Sequence, residues 1–312
     1  MKKNKEYYKI TKCDFSKQND LVDLISLGKM PAVNNYIDVG KDTNDLRFYE
    51  TEIYFSKSSG LVQLSTIVNK KILFPKSYPY TSSTTKVLRD NFKDLFNESS
   101  KLINFSKSDL IVDIGSNDGN LLSNFKKFRV LGITPENIGK LAIKKGIPTI
   151  LNYFDRKIVL NILKKIGKAK LICATNVFAH IENTNTLIQN IKLLLDKNGV
   201  FISESHYLVS LIKTLQYDTI YHEHLRYYSI SSLKYIFNKH GLEIFYCKEI
   251  QPHGGSIRVY ASFKGKYTID KSVNKFLNYE KKFLVKKTFL NFKNKVLKSK
   301  IDFYNLITKI NL

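Results

Sequence analysis

Several features are scarce in this 312-residue sequence, and each scarcity excludes a class of protein. It has no tryptophan and only three cysteines, Cys13, Cys173 and Cys247, which lie far apart. Cysteines spaced so widely form no disulfide framework, which fits a reducing compartment. No stretch reaches the roughly 20 apolar residues of a membrane span, and no apolar signal segment follows the lysine-rich start. We therefore expect a cytoplasmic protein with no integral membrane span.

Acidic side chains and arginine are also scarce. Lys and Arg number 51 against 27 Asp and Glu, a formal net charge of +24, yet only six of the basic residues are Arg. A strongly basic chain can bind nucleic acid or an anionic membrane. Nucleic-acid binders usually concentrate their basic residues on one face and use Arg for paired hydrogen bonds. Here Lys is spread along the whole chain, as an AT-rich genome would encode it. We predict no nucleic-acid partner and keep an expectation of anionic ligands.

From residue 109 onwards, short apolar runs alternate with segments of helical periodicity. The predicted strands are at 110–115, 130–133, 149–151, 171–174 and 200–204. This alternation predicts an α/β fold in which a parallel sheet carries helices on both faces. Two further strands, at 242–246 and 256–263, form a terminal pair that is typical of one kind of Rossmann-like sheet.

Three regions follow from this pattern. Residues 1–85 are predicted to form a small module of short strands and turns, and residues 86–267 the Rossmann-like domain. Residues 268–312 are predicted to be basic amphipathic helices. Such helices pack on their own domain or on a partner subunit, or lie on a membrane surface. We favour packing, and a homo-oligomer stays an open alternative.

Histidine has an uneven distribution. The six histidines all fall between residues 180 and 253: His180, His206, His222, His224, His240 and His253. Core packing does not require this clustering. Because histidine titrates near neutral pH, we expect chemistry in this stretch.

The first motif is residues 112–119, which read Val-Asp-Ile-Gly-Ser-Asn-Asp-Gly. A strand that enters a turn of small residues before a helix lets the backbone approach a ligand closely. Asp113 would support the loop or accept a hydrogen bond from a ligand amine. An ordinary strand-to-helix turn is the alternative. The spacing lacks the G-x-G-x-x-G pattern of dinucleotide enzymes, which argues against NAD.

The second motif follows the predicted strand at 171–174 and contains Asn176 and His180. Open α/β sheets bind ligands at the carboxyl ends of their strands. Both side chains are therefore predicted to face the ligand crevice, although a lone histidine there would more often be structural.

The third motif, residues 217–229, places Glu223 between His222 and His224 and surrounds them with tyrosines. Zinc binding is one interpretation, but the histidine pair four residues apart that zinc-binding helices use is absent. Acid–base chemistry explains the segment better, with a carboxylate that orients an imidazole or relays a proton. A polar loop stacked on the sheet is the remaining alternative.

The fourth motif, residues 253–258, joins His253 to a glycine pair and Arg258. Paired glycines let backbone amides approach an anion. A hairpin turn is the alternative, and it is compatible with that role.

Taken in order, these motifs resemble the sugar C-methyltransferases, which are S-adenosylmethionine-dependent enzymes acting on nucleotide-linked 4-keto deoxysugars. The resemblance covers about residues 20–290. It rests on the runs D-I-G-S-N-D-G, N-V-F-A-H-I, Y-D-T-I-Y-H-E-H-L-x-Y-Y-S and H-G-G-S-x-R-x-Y. The Y-H-E-H segment is specific to the family, and a tyrosine-serine segment at 78–84 also matches.

The resemblance implies that His224 removes a proton from the carbon beside a ketone and that the resulting carbanion takes the methyl group. The implied catalytic residues are His224, Glu223, His180 and Tyr221. The implied substrate-binding residues are Tyr78, Tyr80, His222, His253 and Arg258. The implied cofactor-binding residues are Asp113, Gly115, Asn117, Asp118, Gly119, Thr134 and Asn176.

The sequence departs from the family pattern in its metal-binding module. The family begins with a zinc module of paired C-x-x-C motifs, and the matching positions here are Cys13, Ser16, Ser56 and Ser59. Serine is a poor zinc ligand. We predict that the module keeps its fold without zinc.

Two further departures concern the cofactor and the substrate. Thr134 stands where the family usually has an acid that holds the cofactor ribose, so Glu136 is the candidate substitute. The resemblance implies a further C-terminal domain in the family, and we expect none to follow residues 268–312. Two alternatives follow: a catalytically impaired relative that is a binding or assembly partner in surface-sugar biosynthesis, or a methyltransferase of another small substrate.

Overall fold

The computed structural model describes residues 6–33, 38–40, 42, 46–74 and 81–310. The first part of the chain is a small β module. Its elements are β1 (Tyr7–Lys9), β2 (Leu21–Pro31), β3 (Phe48–Ser56), β4 (Val62–Leu64), β5 (Thr66–Val68) and α1 (Lys70–Leu73). Strands β2, β3 and β4 pair in antiparallel order, and β1 pairs with β5.

A larger α/β unit and two terminal helices follow the β module. In chain order they are α2 (Lys86–Leu102), β6 (Leu110–Ile114), α3 (Asn120–Ser123), β7 (Arg129–Ile133), α4 (Gly139–Lys144), β8 (Thr149–Ile150), α5 (Arg156–Lys165), β9 (Ala169–Thr175), α6 (Thr184–Leu194), β10 (Leu195–His206), α7 (Leu208–Lys213), β11 (Arg226–Tyr227), α8 (Ile230–Lys239), β12 (Leu242–Ile250), β13 (Ser256–Phe263), α9 (Lys271–Phe283) and α10 (Lys286–Ile310).

Seven of these strands form one sheet in the order β12–β13–β10–β9–β6–β7–β8. The five strands from β10 to β8 are parallel, and β13 lies antiparallel between β10 and β12. The predicted Rossmann-like sheet and its terminal strand pair are confirmed. The helix after β6 is a short one, since α3 ends at Ser123.

Local sequence accounts for the main helices and the central strand. All five residues of β6 are buried, as a strand covered on both faces requires. Leu88, Phe92 and Leu95 lie on the buried face of α2 at helical spacing. Asp155 caps α5 by accepting a hydrogen bond from the Ile158 amide at 2.9 Å.

Several contacts join the β module to the larger unit, and β11 and α10 provide two of them. Strand β11 extends the module's sheet by pairing with β4, although it lies far along the chain. Phe289, Phe292 and Val296 of α10 are buried against the module, which agrees with packing as the role of this helix. Within the part of the chain that the structure describes, no helix is both long and apolar enough to span a membrane. The predicted domain boundaries at residues 85 and 267 stay predictions.

Candidate active site

A cavity of about 970 Å³ opens at the carboxyl ends of β6, β7, β9 and β10. Its floor includes the turn at 115–117, and one wall is the segment at 218–227 between α7 and α8. Residues 67–74 of the β module close another side. Ligand crevices of open α/β sheets lie at this edge because the strand ends leave the backbone of the following turns accessible.

The turn after β6 forms the floor. Asp113 is 2% exposed, and its Oδ1 has no hydrogen-bond partner in the described part of the chain. Burial and the nearby Glu204 carboxylate raise the pKa of Asp113 well above its ordinary value. Gly115 has a φ of +74°, and a Cβ there would lie 2.3 Å from Val177, so only glycine fits this turn. Asn117 also lines the cavity.

Asp118 and Gly119 do not line the cavity, which corrects their predicted role in cofactor binding. The Asp118 carboxylate accepts hydrogen bonds from Ser82 Oγ at 2.7 Å and Lys145 Nζ at 2.9 Å. It therefore ties the turn to the segment before α2. Gly119 packs against Ile147 and Ala142, and its φ of +78° starts α3. Both residues shape the turn without facing a ligand.

Thr134 and Asn176 lie at the ends of two neighbouring strands and line the cavity. The Thr134 hydroxyl donates a hydrogen bond to the Glu136 carboxylate, which lines the cavity as well. Asn176 has a φ of 55°, and its backbone amide donates to the Glu204 carbonyl at 2.9 Å. This left-handed backbone is uncommon outside glycine and clusters at functional sites.

His224 lies in the wall segment and has a defined tautomer. Its Nδ1 is 2.9 Å from the Thr219 carbonyl oxygen, and a carbonyl can only accept, so Nδ1 carries the proton. The other nitrogen, Nε2, is 3.2 Å from the Tyr221 hydroxyl. Burial and the neighbouring His180 lower the pKa of His224 to about 3. The imidazole is therefore neutral near pH 7.

His180, Glu223 and Tyr221 surround His224. His180 Nδ1 donates to the Glu223 carbonyl at 2.7 Å, and the rings of His180 and His224 have centroids 5.1 Å apart. The Tyr221 ring is 4.2 Å from the His224 ring. Glu223 is 3% exposed and lines the cavity. The structure thus brings the rings of His180, Tyr221 and His224 together, and Glu223 lines the same cavity.

The structure adds His206, which no motif had singled out. This residue ends β10 and lines the cavity. Its Nε2 is 2.9 Å from Gln216 Oε1, and Gln216 Nε2 donates to the Gly254 carbonyl at 2.8 Å. His253 lines the cavity nearby with a strained φ of 55°. The clustering of histidines was the signal that pointed towards His206.

His222 faces away from the cavity, which corrects its predicted contact with substrate. The side chain is fully buried, and its Nε2 lies 3.2 Å from Thr51 Oγ1 in the β module. Its ring meets the edge of Tyr49 at a centroid distance of 5.5 Å. His222 therefore packs the loop onto β3 while His224, two residues on, faces the cavity.

The predicted role of Arg258 in substrate binding is also wrong, because its side chain lies in the core and not in the cavity. It is fully buried and pairs with Glu204, with Asp94 at 3.0 Å and with Glu98 at 2.9 Å. Its position on β13 points the guanidinium at α2. The donors that an anion would need are occupied by protein carboxylates.

Two predicted groups remain. Tyr78 and Tyr80 lie outside the described residues.

In the β module, Cys13 Sγ is 3.2 Å from Ser59 Oγ, which donates to Ser56 Oγ at 3.0 Å. Ser16 Oγ instead accepts from a local backbone amide at 3.2 Å. One thiol and three hydroxyls do not fit zinc. The described residues contain no cluster of three His, Cys, Asp or Glu side chains that could hold a metal.

The sheet order and the cavity at its carboxyl edge define a Rossmann-like class I methyltransferase fold. A methyltransferase domain model matches residues 80–246, more than half of the chain. The chain therefore belongs to the methyltransferase domain family. A second model, described as a putative zinc binding domain, matches residues 13–74.

Among characterised proteins, the chain is 30% identical over 256 residues to the C-methyltransferase NovU of Streptomyces niveus. The match covers 81% of this chain and 61% of the relative's length. A solved S-adenosylmethionine-dependent methyltransferase from Anabaena variabilis is 16% identical, with a TM-score of 0.42 over 59% of this chain and 98% of its own. Magnesium protoporphyrin IX methyltransferase from Synechocystis, solved with bound S-adenosylmethionine, is 14% identical, with a TM-score of 0.40 over 56% of this chain and 78% of its own.

The residues present fit S-adenosylmethionine. Asp113 Oδ1, Ser116 Oγ and Ser205 Oγ are buried, have no partner in the described chain, and belong to residues that line the cavity. S-adenosylmethionine carries an ammonium, a carboxylate and ribose hydroxyls, and these groups would supply the hydrogen-bond partners that the three atoms lack. Glu136 follows the glycine turn by about 20 residues, where Rossmann folds place the acid that binds a ribose.

Proposed function

We propose that the chain transfers a methyl group from S-adenosylmethionine to a carbon atom beside a ketone. The observation that carries this proposal is the orientation of His224. Its Nδ1 is bound to the Thr219 carbonyl, and its Nε2 meets Tyr221 in the same cavity as the glycine turn. S-adenosylmethionine, when bound, supplies a methyl group on a sulfonium, for which an enolate carbon is a suitable acceptor.

His224 is the general base of this proposal. Burial keeps the imidazole neutral, so Nε2 has its lone pair at physiological pH. The base takes the proton of the carbon beside the ketone, and the electrons of that C–H bond pass into the enolate. A positioned base whose pKa lies near the working pH contributes roughly 10²–10⁴-fold to the rate. The low pKa of His224 makes its own contribution smaller than that unless a bound substrate raises the pKa.

Three neighbours prepare His224 for this role. The Thr219 carbonyl fixes its tautomer, as the third group of a catalytic triad does. The Tyr221 hydroxyl, next to Nε2, would donate to the enolate oxygen when a substrate is bound. The backbone carbonyl of Glu223 accepts from His180 Nδ1 at 2.7 Å and so holds the ring of His180 beside His224.

A nucleotide-linked keto-deoxysugar is the substrate class that we propose. A volume of about 970 Å³ lies at the upper end of the roughly 300–1,000 Å³ of ligand sites, so the cavity has room for a cofactor and a second molecule. Lys70 and Arg156 line it and would favour a diphosphate. The relative NovU is a C-methyltransferase. Such a role belongs to deoxysugar biosynthesis in the cytoplasm.

The experiment uses S-adenosylmethionine with a ¹³C-labelled methyl group and a thymidine diphosphate-linked 4-keto-6-deoxyhexose. We expect calorimetry to show cofactor binding and nuclear magnetic resonance of the product to show a new carbon–carbon bond. His224→Ala should abolish transfer and keep cofactor affinity. His240→Ala is the matched control, because His240 binds Asn185 outside the cavity.

Each outcome has a clear meaning. A methyl group on oxygen would contradict carbon methylation and favour another small substrate. Cofactor binding without transfer to any keto sugar would favour the catalytically impaired relative. A wild-type protein that binds no S-adenosylmethionine at millimolar concentration would remove the proposal.

A further inference from the structure

Arg226 is a buried arginine in β11, next to the proposed catalytic segment. It is 4% exposed, and the resemblance to the sugar C-methyltransferases assigns no fixed residue to its position. Its Nη1 donates to the Ile181 carbonyl, and its Nη2 donates to the Glu182 carbonyl at 2.6 Å. Nη2 also lies 2.8 Å from the carboxylate of Asp14 in the β module. One guanidinium thus joins two parts of the fold.

Asp14 connects this arginine to a third element. Its carboxylate accepts from Thr184 Oγ1 at 2.7 Å, and its carbonyl accepts from Asn185 Nδ2 at 2.8 Å. Both residues belong to the first turn of α6. Burial alone would raise the pKa of Asp14, but Arg226 and the hydrogen bonds from Lys17 and Thr184 hold it below its ordinary value. The aspartate is therefore ionised and paired.

The carbonyls that Arg226 holds directly follow His180. This histidine ends a short turn, Phe178–His180, whose Ala179 carbonyl accepts from the Leu225 amide at 3.1 Å. The turn is therefore held on one side by Leu225 and on the other by Arg226. Because His180 donates to the Glu223 carbonyl, a shift of the turn would move the backbone next to His224.

Serine stands at three of the four positions of the β module that the resemblance assigns to zinc ligands, and serine is a poor zinc ligand. Zinc normally orders such a module by fixing its loops. Here Cys13, Ser59 and Ser56 hydrogen-bond one another, and Asp14 follows Cys13 directly in the chain. The ion pair with Arg226 is then one charged contact that ties this loop to the α/β unit, and the Lys239 ammonium, which donates to the Phe15 carbonyl at 2.7 Å, is another.

We propose that Arg226 is a positioning residue: together with Asp14 it anchors the metal-free β module to the turn that carries His180. The expected loss of methyl transfer rests on the proposed function, whereas the expected change at His180 does not. A merely structural role would change stability and leave the environment of His180 unaltered in the folded variants.

The experiment compares Arg226→Met, Arg226→Lys and Asp14→Asn with Arg47→Met. Arg47 is the matched control, because it pairs with Glu6 on the exposed side of the same module. The first readout is the ¹³C and ¹⁵N chemical shifts of the His180 imidazole, which need no substrate. We expect shifts in all three test variants and none in the control. Lysine should restore the wild-type signals only in part, since an ammonium cannot reproduce the planar fork.

The second readout is steady-state methyl transfer. We expect Arg226→Met to lower kcat by about 10²-fold with an unchanged KM for S-adenosylmethionine, the effect of a displacement of about 1 Å near a catalytic group. If Arg226→Met does not fold, the His180 chemical shifts of Arg226→Lys and Asp14→Asn test the inference. Unchanged His180 signals in the folded variants overturn the inference. If the wild-type protein transfers no methyl group, the proposed function fails. The chemical shifts of His180 then still decide whether Arg226 is a positioning residue.

Discussion

The low pKa of His224 makes the stability of the protein depend on pH. The imidazole has a pKa of about 3 in the folded protein and an ordinary value of 6.5 when unfolded. As the pH falls below 6.5, the unfolded chain binds a proton that the folded chain excludes, so the stability that the neutral form provides is lost. At pH 6.5 half of the unfolded chains are already protonated, and each pH unit well below that value costs about 1.4 kcal/mol, so the loss between pH 6.5 and 4.5 is roughly 2.3 kcal/mol.

The perturbation that isolates this effect is His224→Phe, which keeps an aromatic ring and removes the titrating group. We expect the free energy of unfolding of the variant to fall less steeply with acid than that of the wild-type protein, by roughly 2.3 kcal/mol over the same window. Urea unfolding followed by far-ultraviolet circular dichroism suits a chain without tryptophan. If the free energies of unfolding of the two proteins depend on pH in the same way, the lowered pKa of His224 is refuted.

Three side chains around the site give further predictions. Tyr221→Phe removes the hydroxyl beside His224 and should lower kcat by about 10-fold or more with little change in cofactor affinity; an unchanged kcat speaks against its role. Glu136→Ala should raise the Kd for S-adenosylmethionine by about 10-fold in calorimetry, since one charged hydrogen bond contributes about 1.5 kcal/mol; an unchanged Kd removes Glu136 from the ribose site. Arg258→Met leaves the Glu204 carboxylate buried without its partner and should cost about 3–5 kcal/mol of stability in urea unfolding; a loss below 1 kcal/mol would contradict the core role.

The fold was predictable because its determinants are local. The apolar run at 110–114 is buried on both faces, and such runs between amphipathic segments leave few alternatives to a parallel sheet. The turn after β6 was predictable for a similar reason, since small residues between a strand and a helix admit a close approach. Strand β11 was missed, because its partner β4 is far away in the chain.

Side-chain direction was harder to predict than position. His222 and His224 lie two residues apart, yet one contacts the β module and the other lines the cavity. The chain turns between them, because the His224 amide donates to the Tyr221 carbonyl at 3.0 Å. Arg258 looked like an anion ligand because arginine is scarce, but its partners on α2 come from a part of the chain more than 150 residues away. Long-range contacts of this kind leave no local signal.

Hydrogen exchange at the carbon beside the ketone tests the proposed base most directly. The measurement places a thymidine diphosphate-linked 4-keto-6-deoxyhexose and S-adenosylhomocysteine, which has no methyl group to give, with the protein in deuterium oxide. We expect nuclear magnetic resonance to show deuterium entering that carbon with the wild-type protein and with His240→Ala, and not with His224→Ala. Exchange that is equally fast with His224→Ala, or that is absent with the wild-type protein, would contradict proton abstraction by His224.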